Sequence, residues 1–274
     1  MKFKAIAHSW VAEHPKPVGV IEFLGGALYG TLPTLSYRHF LHSLYQSGYT
    51  IIAIPFPFGF GHESIAKSLL RERQQIRAEL NYSADIPDFW VGHSLGCKYI
   101  TLLEVYGAIL GQPSLLMAPD ISDTKDALPF STLAQWLDRF YLGVQPTRQD
   151  TQTLVRQSNL FNLTALISFA QDDLAGTASQ SPETSDVAWF IQELQSRSGD
   201  RLIAQEIPGG HREPVGIQMG DVVLRPDFQH GIFEPLQNRQ LERLAIELLA
   251  KLAQRLSHIE RIATKHKSEQ LQEV

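Results

Sequence analysis

The sequence is poor in cysteine and contains no long apolar run. Cys97 is the one cysteine among 274 residues, so no disulfide can form within a single chain. Proteins of reducing compartments commonly have this composition. No stretch approaches the ~20 consecutive apolar residues of a membrane-spanning helix, and His8, Glu13 and His14 come too early for a secretory signal segment. We therefore expect a cytoplasmic protein without an integral membrane segment, and peripheral contact with a membrane stays open.

Charge of one sign is also scarce. The formal net charge is −5 at pH 7, and it is spread along the chain without long blocks. This pattern disfavours nucleic acid and an anionic membrane surface as partners. His39 and His42 lie three residues apart, but no third ligand accompanies them, so we predict no metal site and no cofactor. The expected partner is a small-molecule or acyl substrate, and no feature of the sequence indicates the oligomeric state.

Short β-rich runs alternate with segments of helical periodicity along most of the chain. This alternation predicts an α/β fold with a mostly parallel sheet and helices on both faces. No repeat or low-complexity linker interrupts it, so we predict one domain over residues 1–274, with a polar tail at 263–274. The predicted strands are at residues 18–24, 50–54, 88–91, 114–118, 164–169 and 202–207.

Residues 122–160 break the alternation of strand and helix. Their apolar side chains, among them Trp136 and Phe140, recur at helical spacing, which predicts a helical lid over the site. Trp136 and Phe140 are therefore candidate walls of a substrate pocket. Three more candidates, Phe56, Phe58 and Phe60, come from an earlier segment rich in proline and phenylalanine, although their pattern is equally consistent with packing.

The motif Gly92-x-Ser94-x-Gly96 connects a predicted strand to an almost entirely apolar helix. In a nucleophile elbow, a tight strand-to-helix turn lifts a serine hydroxyl above the edge of the sheet, and the glycines remove side chains that would clash. The N-terminus of the helix then places the Leu95 backbone N–H where an oxyanion would form. This context predicts that Ser94 is a nucleophile within an α/β-hydrolase fold.

The partners of such a serine follow in the order acid, then histidine, each after a strand. His211 follows the last predicted strand and is the candidate base, because Pro208-Gly209-Gly210 lets the chain turn sharply before it. Asp172 and Asp173 both follow the preceding strand. We favour Asp173 as the acid, because it lies three residues beyond the small Ala170, and keep Asp172 as the alternative acid. The aspartate that is not the acid is expected to cap the local turn.

A second oxyanion donor is expected from the loop after the first core strand. Gly25-Gly26-Ala27 occupies that position, so the N–H of Gly26 or Ala27 is the candidate. Leu24 stands where many hydrolases have a histidine, which leaves open how this loop is anchored.

The apolar helix predicted after Ser94 contains Cys97, which we interpret as a core residue and not as a nucleophile.

Short strings spread over most of the chain carry a resemblance to a known family. They are Phe23-Leu24-Gly25-Gly26-Ala27, Thr34-Leu35-Ser36-Tyr37-Arg38, Gly48-Tyr49 and Gly92-His93-Ser94-Leu95-Gly96-Cys97-Lys98. With them the sequence resembles an uncharacterised α/β-hydrolase-like family of cyanobacteria and plastids, whose domain has no known function. The resemblance implies the fold and an elbow serine at Ser94, but no substrate. Residues 216–231 match no part of the general hydrolase pattern.

Together these features predict a serine hydrolase that cleaves an ester or thioester through an acyl-enzyme. Acyl transfer to an acceptor other than water would use the same residues. A hydrolase-like binding or assembly protein with little turnover is the alternative from another class, because a fold does not determine a function.

Overall fold

The structure of the chain, a computed structural model, describes residues 1–57, 59–80, 86–121, 143–158, 162–198, 201–227 and 231–272, with side chains through residue 262. The strands are β1 Lys4–Ile6, β2 Ser9–Ala12, β3 Gly19–Leu24, β4 Tyr49–Ala53, β5 Asp88–His93, β6 Ser114–Met117, β7 Thr164–Phe169, β8 Leu202–Ile207, β9 Ile217–Met219, β10 Val222–Leu224 and β11 Phe233–Pro235. The described helices are α1 Pro33–Ser36, α2 Arg38–Gln46, α3 His62–Leu80, α4 Leu95–Val105, α5 Arg148–Gln157, α6 Asp186–Ser198 and α7 Leu241–Gln272.

Eight of these strands form one sheet in the order β1-β2-β4-β3-β5-β6-β7-β8. The two strands at the N-terminus pair antiparallel, and every pairing from β4 to β8 is parallel. The carboxyl ends of the parallel strands therefore meet at one edge of the sheet, where open α/β sheets bind their ligands. The mostly parallel sheet with helices confirms the predicted fold class.

Side chains of the central strands are buried on both faces of the sheet. In β3, Ile21 and Phe23 join a core cluster with α2 and α7, whereas Val20 and Leu24 join another with α3 and α4. All six residues of β3 are buried, as expected for a strand covered by helices on both sides. The sheet and its two helical layers thus hold the loops at its carboxyl edge on a rigid base.

Helix α4 lies directly after the elbow and is buried almost all round. Its first nine residues after Leu95, from Gly96 to Glu104, have little or no exposed surface. A helix that is apolar on all sides cannot face water and must lie inside the protein. Its N-terminus is therefore fixed in position, which matters for the serine that precedes it.

The segment 216–231, which matched no pattern, contains β9 and β10, which form a second, antiparallel sheet with β11 in the order β11-β10-β9. The Gly216 N–H donates to the Ser36 carbonyl, and the Gly216 carbonyl accepts from the His39 N–H. Arg225 contacts Glu213, which lies two residues beyond His211. The small sheet is thus bonded both to α2 and to the turn that follows the candidate base.

Two parts of the predicted domain organisation lie at or beyond the limits of the described residues. Of the predicted lid, residues 122–142 and 159–160 lie outside the described residues. The remaining part contains α5, whose Val155 is fully buried and whose backbone lies beside α4. The last helix continues to Gln272, so most of the predicted polar tail has helical backbone.

Candidate active site

Ser94 lies at the turn between β5 and α4. Its backbone has φ 54° and ψ −123°, a conformation that residues with side chains rarely adopt. A Cβ on Gly92 would lie 2.7 Å from Ile100 Cδ1, and one on Gly96 would collide with the Leu24 carbonyl oxygen. The Cβ on Gly92 would also lie 3.0 Å from the Cys97 backbone nitrogen, so both glycines of the motif face closely approaching backbone, and the turn has the geometry of a nucleophile elbow.

His211 follows β8 and lies beside Ser94. Its Nε2 is 2.9 Å from Ser94 Oγ, and its Nδ1 is 2.9 and 3.0 Å from the two carboxylate oxygens of Asp172. Burial alone would lower the pKa of His211. The hydrogen bond and charge of Asp172, with the more distant charges of Asp120 and Asp173, outweigh burial and raise this pKa above its ordinary value.

The acid beside His211 is Asp172, so our preference for Asp173 is corrected. The Asp172 N–H donates to the Phe169 carbonyl, which turns the chain at the end of β7. Asp172 Oδ1 also accepts from the backbone N–H groups of Leu174 and Ala175, both at 2.9 Å. One carboxylate therefore both caps the turn and holds His211, whereas Asp173 is exposed and acts on His211 only through longer-range Coulomb attraction.

Of the three candidate oxyanion donors, two have an N–H that is available. The Gly26 N–H donates to Tyr37 Oη at 2.6 Å and is already used. The N–H groups of Ala27 and Leu95 make no hydrogen bond with the described residues, and both residues line the same cavity as Ser94. The donor pair that the geometry offers is thus Ala27 with Leu95.

A cavity of about 590 Å³ opens above Ser94. Apolar and charged side chains both contribute to its walls. They include Leu28, Tyr29, Phe60, Val144, Leu174, His62, Asp120, Arg148, Asp186 and Arg212. A mixed lining of this kind suits a ligand that has both an apolar part and polar groups.

The predicted pocket residues fare differently. Phe56 is buried and lies in the core, since its ring contacts Tyr99 with centroids 4.9 Å apart and fills the space beside Gly30. The packing alternative therefore describes Phe56, whereas Phe60 from the same segment lines the cavity. Phe58, Trp136 and Phe140 lie outside the described residues.

The charged part of the cavity has its own electrostatics. Arg148 Nε donates to Asp186 Oδ1 at 2.6 Å. Burial and the nearby charge of Asp120 nonetheless raise the pKa of Asp186 to about 6. Burial, helped by the Lys98 ammonium, lowers the pKa of His62 to about 3, so His62 is neutral. Neutral and paired groups thus dominate this wall of the cavity.

Other candidate groups are accounted for within the described residues. Cys97 is fully buried, and burial raises the pKa of its thiol, so it has no thiolate character. The described residues contain no group of three or more His, Cys, Asp or Glu side chains placed to hold a metal ion. His39 instead contacts Gln218 and Glu242.

Fold and site together define an α/β-hydrolase-type domain, with a serine, a histidine and a carboxylate at the carboxyl edge of its sheet. More narrowly, the chain belongs to the family described as a protein of unknown function, DUF1350, whose model matches residues 2–230. The expected resemblance to an uncharacterised family of this fold is thereby confirmed. Membership in this family supplies no activity.

Solved structures similar to this chain are hydrolases. A lipase in its open form has a TM-score of 0.57 at 13% identity, covering 90% of this chain and 94% of its own. The monoacylglycerol lipase of Paleococcus ferrophilus has 0.55 at 14%, covering 92% and 100%. Carboxyl esterase 2 of Tuber melanosporum has 0.54 at 14%, covering 88% and 78%. At such low identity these similarities show the fold.

Two further findings limit what the comparisons carry. No curated protein sequence matches this chain closely enough to count as a relative. Within the part of the chain that the structure describes, no helix is both long and apolar enough to cross a membrane.

Proposed function

We propose that this protein is a serine hydrolase that cleaves an ester or thioester through an acyl-enzyme, with Ser94 as nucleophile, His211 as base and Asp172 as acid. One observation carries the proposal. Both ring nitrogens of His211 are engaged, one with Ser94 Oγ and the other with the Asp172 carboxylate. A base held between a nucleophile and an orienting carboxylate is the arrangement by which serine hydrolases are recognised on unrelated folds.

In the first half-reaction, Ser94 Oγ attacks the substrate carbonyl carbon while its proton passes to His211 Nε2. Asp172 holds the Nδ1–H of His211 and stabilises the imidazolium that forms. The carbonyl oxygen becomes an oxyanion, which accepts hydrogen bonds from the Ala27 and Leu95 N–H groups. The tetrahedral intermediate collapses when His211 gives its proton to the departing oxygen or sulfur.

The second half-reaction repeats these steps with water. His211 takes a proton from the water as its oxygen attacks the acyl carbon of the ester on Ser94 Oγ. The proton then returns to Oγ as the carbon–Oγ bond breaks and the acid leaves. No step requires a group other than the chain and water.

A fluorophosphonate probe tests the proposal, because it phosphonylates an activated serine. We expect covalent labelling of the wild type and none of Ser94→Ala, with the labelled peptide containing Ser94. Ser196→Ala is the matched control, since Ser196 is an exposed serine on α6. A panel of p-nitrophenyl esters and acyl thioesters of increasing chain length then measures turnover. A folded wild type that neither labels nor hydrolyses any of these esters contradicts the proposal.

A further inference from the structure

A buried chain of hydrogen bonds runs behind Ser94 and does not include it. The Gly26 N–H donates to Tyr37 Oη at 2.6 Å, and Tyr37 Oη lies 2.8 Å from His93 Nδ1. At the other side of the same ring, His93 Nε2 lies 2.8 Å from the carbonyl oxygen of His211. The two side chains are almost entirely shielded from solvent. The proposed reaction assigns neither of them a task.

The direction of each hydrogen bond in this chain is determined. The His211 carbonyl can only accept, so His93 Nε2 must carry a hydrogen. Burial, together with the neighbouring His211, keeps the pKa of His93 well below its ordinary value, so the ring is neutral and its Nδ1 is an acceptor. The Tyr37 hydroxyl must therefore donate to Nδ1, and its oxygen accepts from Gly26. In this one arrangement, every polar atom of the hydrogen-bond chain from Gly26 to His211 has a partner.

The chain connects two loops that must be placed relative to Ser94. One end is the Gly25-Gly26-Ala27 loop, which offers the Ala27 oxyanion donor, and the other is the backbone of His211. The loop lies close against both the tyrosine and the serine. A Cβ on Gly25 would be 2.5 Å from Tyr37 Cε2, and one on Gly26 would be 3.2 Å from Ser94 Cβ. The loop has Leu24 where a histidine often stands, and Tyr37 supplies the anchor from outside the loop.

We propose that Tyr37 and His93 are positioning residues, which fix the oxyanion loop and the backbone of His211 relative to Ser94 and leave Ala27, not Gly26, as the donor from that loop. The inference rests on the proposed hydrolase function. Acyl transfer is sensitive to displacements of donor or base by about 1 Å. A hydrogen-bonded link between the two loops keeps both within such limits, as supporting residues do in designed and natural sites.

Tyr37→Phe removes the central hydroxyl with almost no change of shape, and Tyr99→Phe is its matched control. Tyr99 is a buried tyrosine whose hydroxyl makes no hydrogen bond with the described residues. We expect Tyr37→Phe to lower kcat and the rate of phosphonylation by about 10- to 100-fold. KM for a short p-nitrophenyl ester should change little, because the hydroxyl does not touch the cavity. Tyr99→Phe should react at the wild-type rate.

His93 gives a second and independent arm. His93→Leu abolishes both bonds of the ring, whereas His93→Gln keeps an amide that can donate to the His211 carbonyl. We expect Gln to retain more of kcat than Leu does. All rates are measured well below the melting temperature and normalised to the folded fraction, so that a purely structural contribution moves the melting temperature and not kcat.

The outcomes separate the two proposals. A wild type that is not labelled overturns the proposed hydrolase and this inference with it. A labelled wild type with Tyr37→Phe at the same normalised rate overturns the inference alone. If Tyr37→Phe does not fold, the comparison of His93→Gln with His93→Leu decides. Equal kcat in these two variants overturns the inference, and a higher kcat for Gln supports it.

Discussion

His93 and His211 are neighbours with opposite electrostatics. Their ring centroids are 5.1 Å apart, and both residues are buried. Burial lowers the pKa of His93 well below its ordinary value, whereas the Asp172 carboxylate overcomes burial and raises the pKa of His211. The difference that carries charge is at Nδ1, where His211 has a carboxylate as its partner and His93 has a tyrosine hydroxyl.

The contrast shows that burial alone does not determine the pKa of a histidine. A buried imidazole without an opposite charge stays neutral and can serve only as a fixed donor and acceptor. The same ring beside a carboxylate can take up and return a proton, which a general base must do. In the proposed mechanism, the carboxylate thus distinguishes the proton-transferring His211 from the positioning His93.

Removing the carboxylate should break the contrast with the largest effect. Asp172→Asn keeps the shape of the side chain but leaves the Nδ1 of His211 beside a neutral partner, as the Nδ1 of His93 is. We expect kcat to fall by up to ~10⁴, as the equivalent change does in a well-studied triad. Steady-state kinetics with a short p-nitrophenyl ester measure this.

Thermal unfolding of Asp172→Asn is the companion measurement, because Asp172 also caps the turn at Leu174 and Ala175. Asparagine keeps an acceptor oxygen for this cap, and even its complete loss would cost only about 1 kcal/mol, far too little to explain a collapse of kcat in a protein that remains folded. A variant with wild-type kcat would show that His211 needs no carboxylate here.

The second prediction extends the contrast to a carboxyl group. Glu104 is buried on α4, accepts from Ser114, and among the described residues has no cation beside it. Burial raises its pKa from 4.5 to about 7, and hydrogen bonds from Ser114 and Asn162 oppose this only in part. Because the folded state holds this proton more tightly than the unfolded one, stability falls as pH rises from about 4.5 through 7.

Glu104→Gln does not titrate and should escape that loss. Relative to the wild type, we expect the variant to gain up to about 3 kcal/mol in free energy of unfolding between about pH 5 and pH 8.5. Urea unfolding at the two pH values measures the gain. Glu79→Gln, at an exposed position of α3, is the control. A gain of the same size in Glu79→Gln would remove burial as the cause.

The third prediction reads the two histidines directly. Because the pKa of His211 is raised, kcat/KM should fall as the pH drops through a value above 6.5. In Asp172→Asn this fall in the residual activity should move to lower pH, since burial then opposes only the more distant charges of Asp120 and Asp173. Nuclear magnetic resonance of the ring protons should show His211 titrating and His93 unchanged over the same range. Two rings that titrate together would contradict the assignment.

The smallest effect is expected at Asp173. Its exposed carboxylate raises the pKa of His211 only by long-range Coulomb attraction, which solvent and salt screen. Asp173→Asn should change kcat by less than about threefold and move the acid limb slightly downward. The shift should vanish in high salt. A large loss of kcat in Asp173→Asn would indicate that Asp173, as the sequence analysis favoured, is the acid.

Much of the site was predictable because it depends on short-range backbone rules. The motif around Ser94 needs glycines on both sides for steric reasons, and the position of His211 after the last parallel strand follows from the alternation of elements. The choice between Asp172 and Asp173 was not predictable in this way. Side chains in a turn have no period, so counting from Ala170 gave no direction for either carboxylate.

Long-range contacts account for the other differences. Phe56 and Phe60 come from one irregular segment, and only the presence of Gly30 and Tyr99 elsewhere in the chain decides which ring enters the core. Strands β9 to β11 have three residues each, too few for an alternating pattern to be recognised. Tyr37 belongs to a string that carries the family resemblance, but that string gave no sign of its hydrogen bond to His93, 56 residues away.

The backbone conformation of Ser94 has a consequence for how this chain can change over time. A side chain at φ 54° carries a strain of about 1–3 kcal/mol, which glycine would not. Substitution of Ser94 by glycine would therefore abolish the nucleophile and yet make the fold more stable. Selection for stability alone would therefore favour glycine at position 94, in a protein without the nucleophile. Under the proposed function, the nucleophile is therefore present at a cost to the stability of the fold.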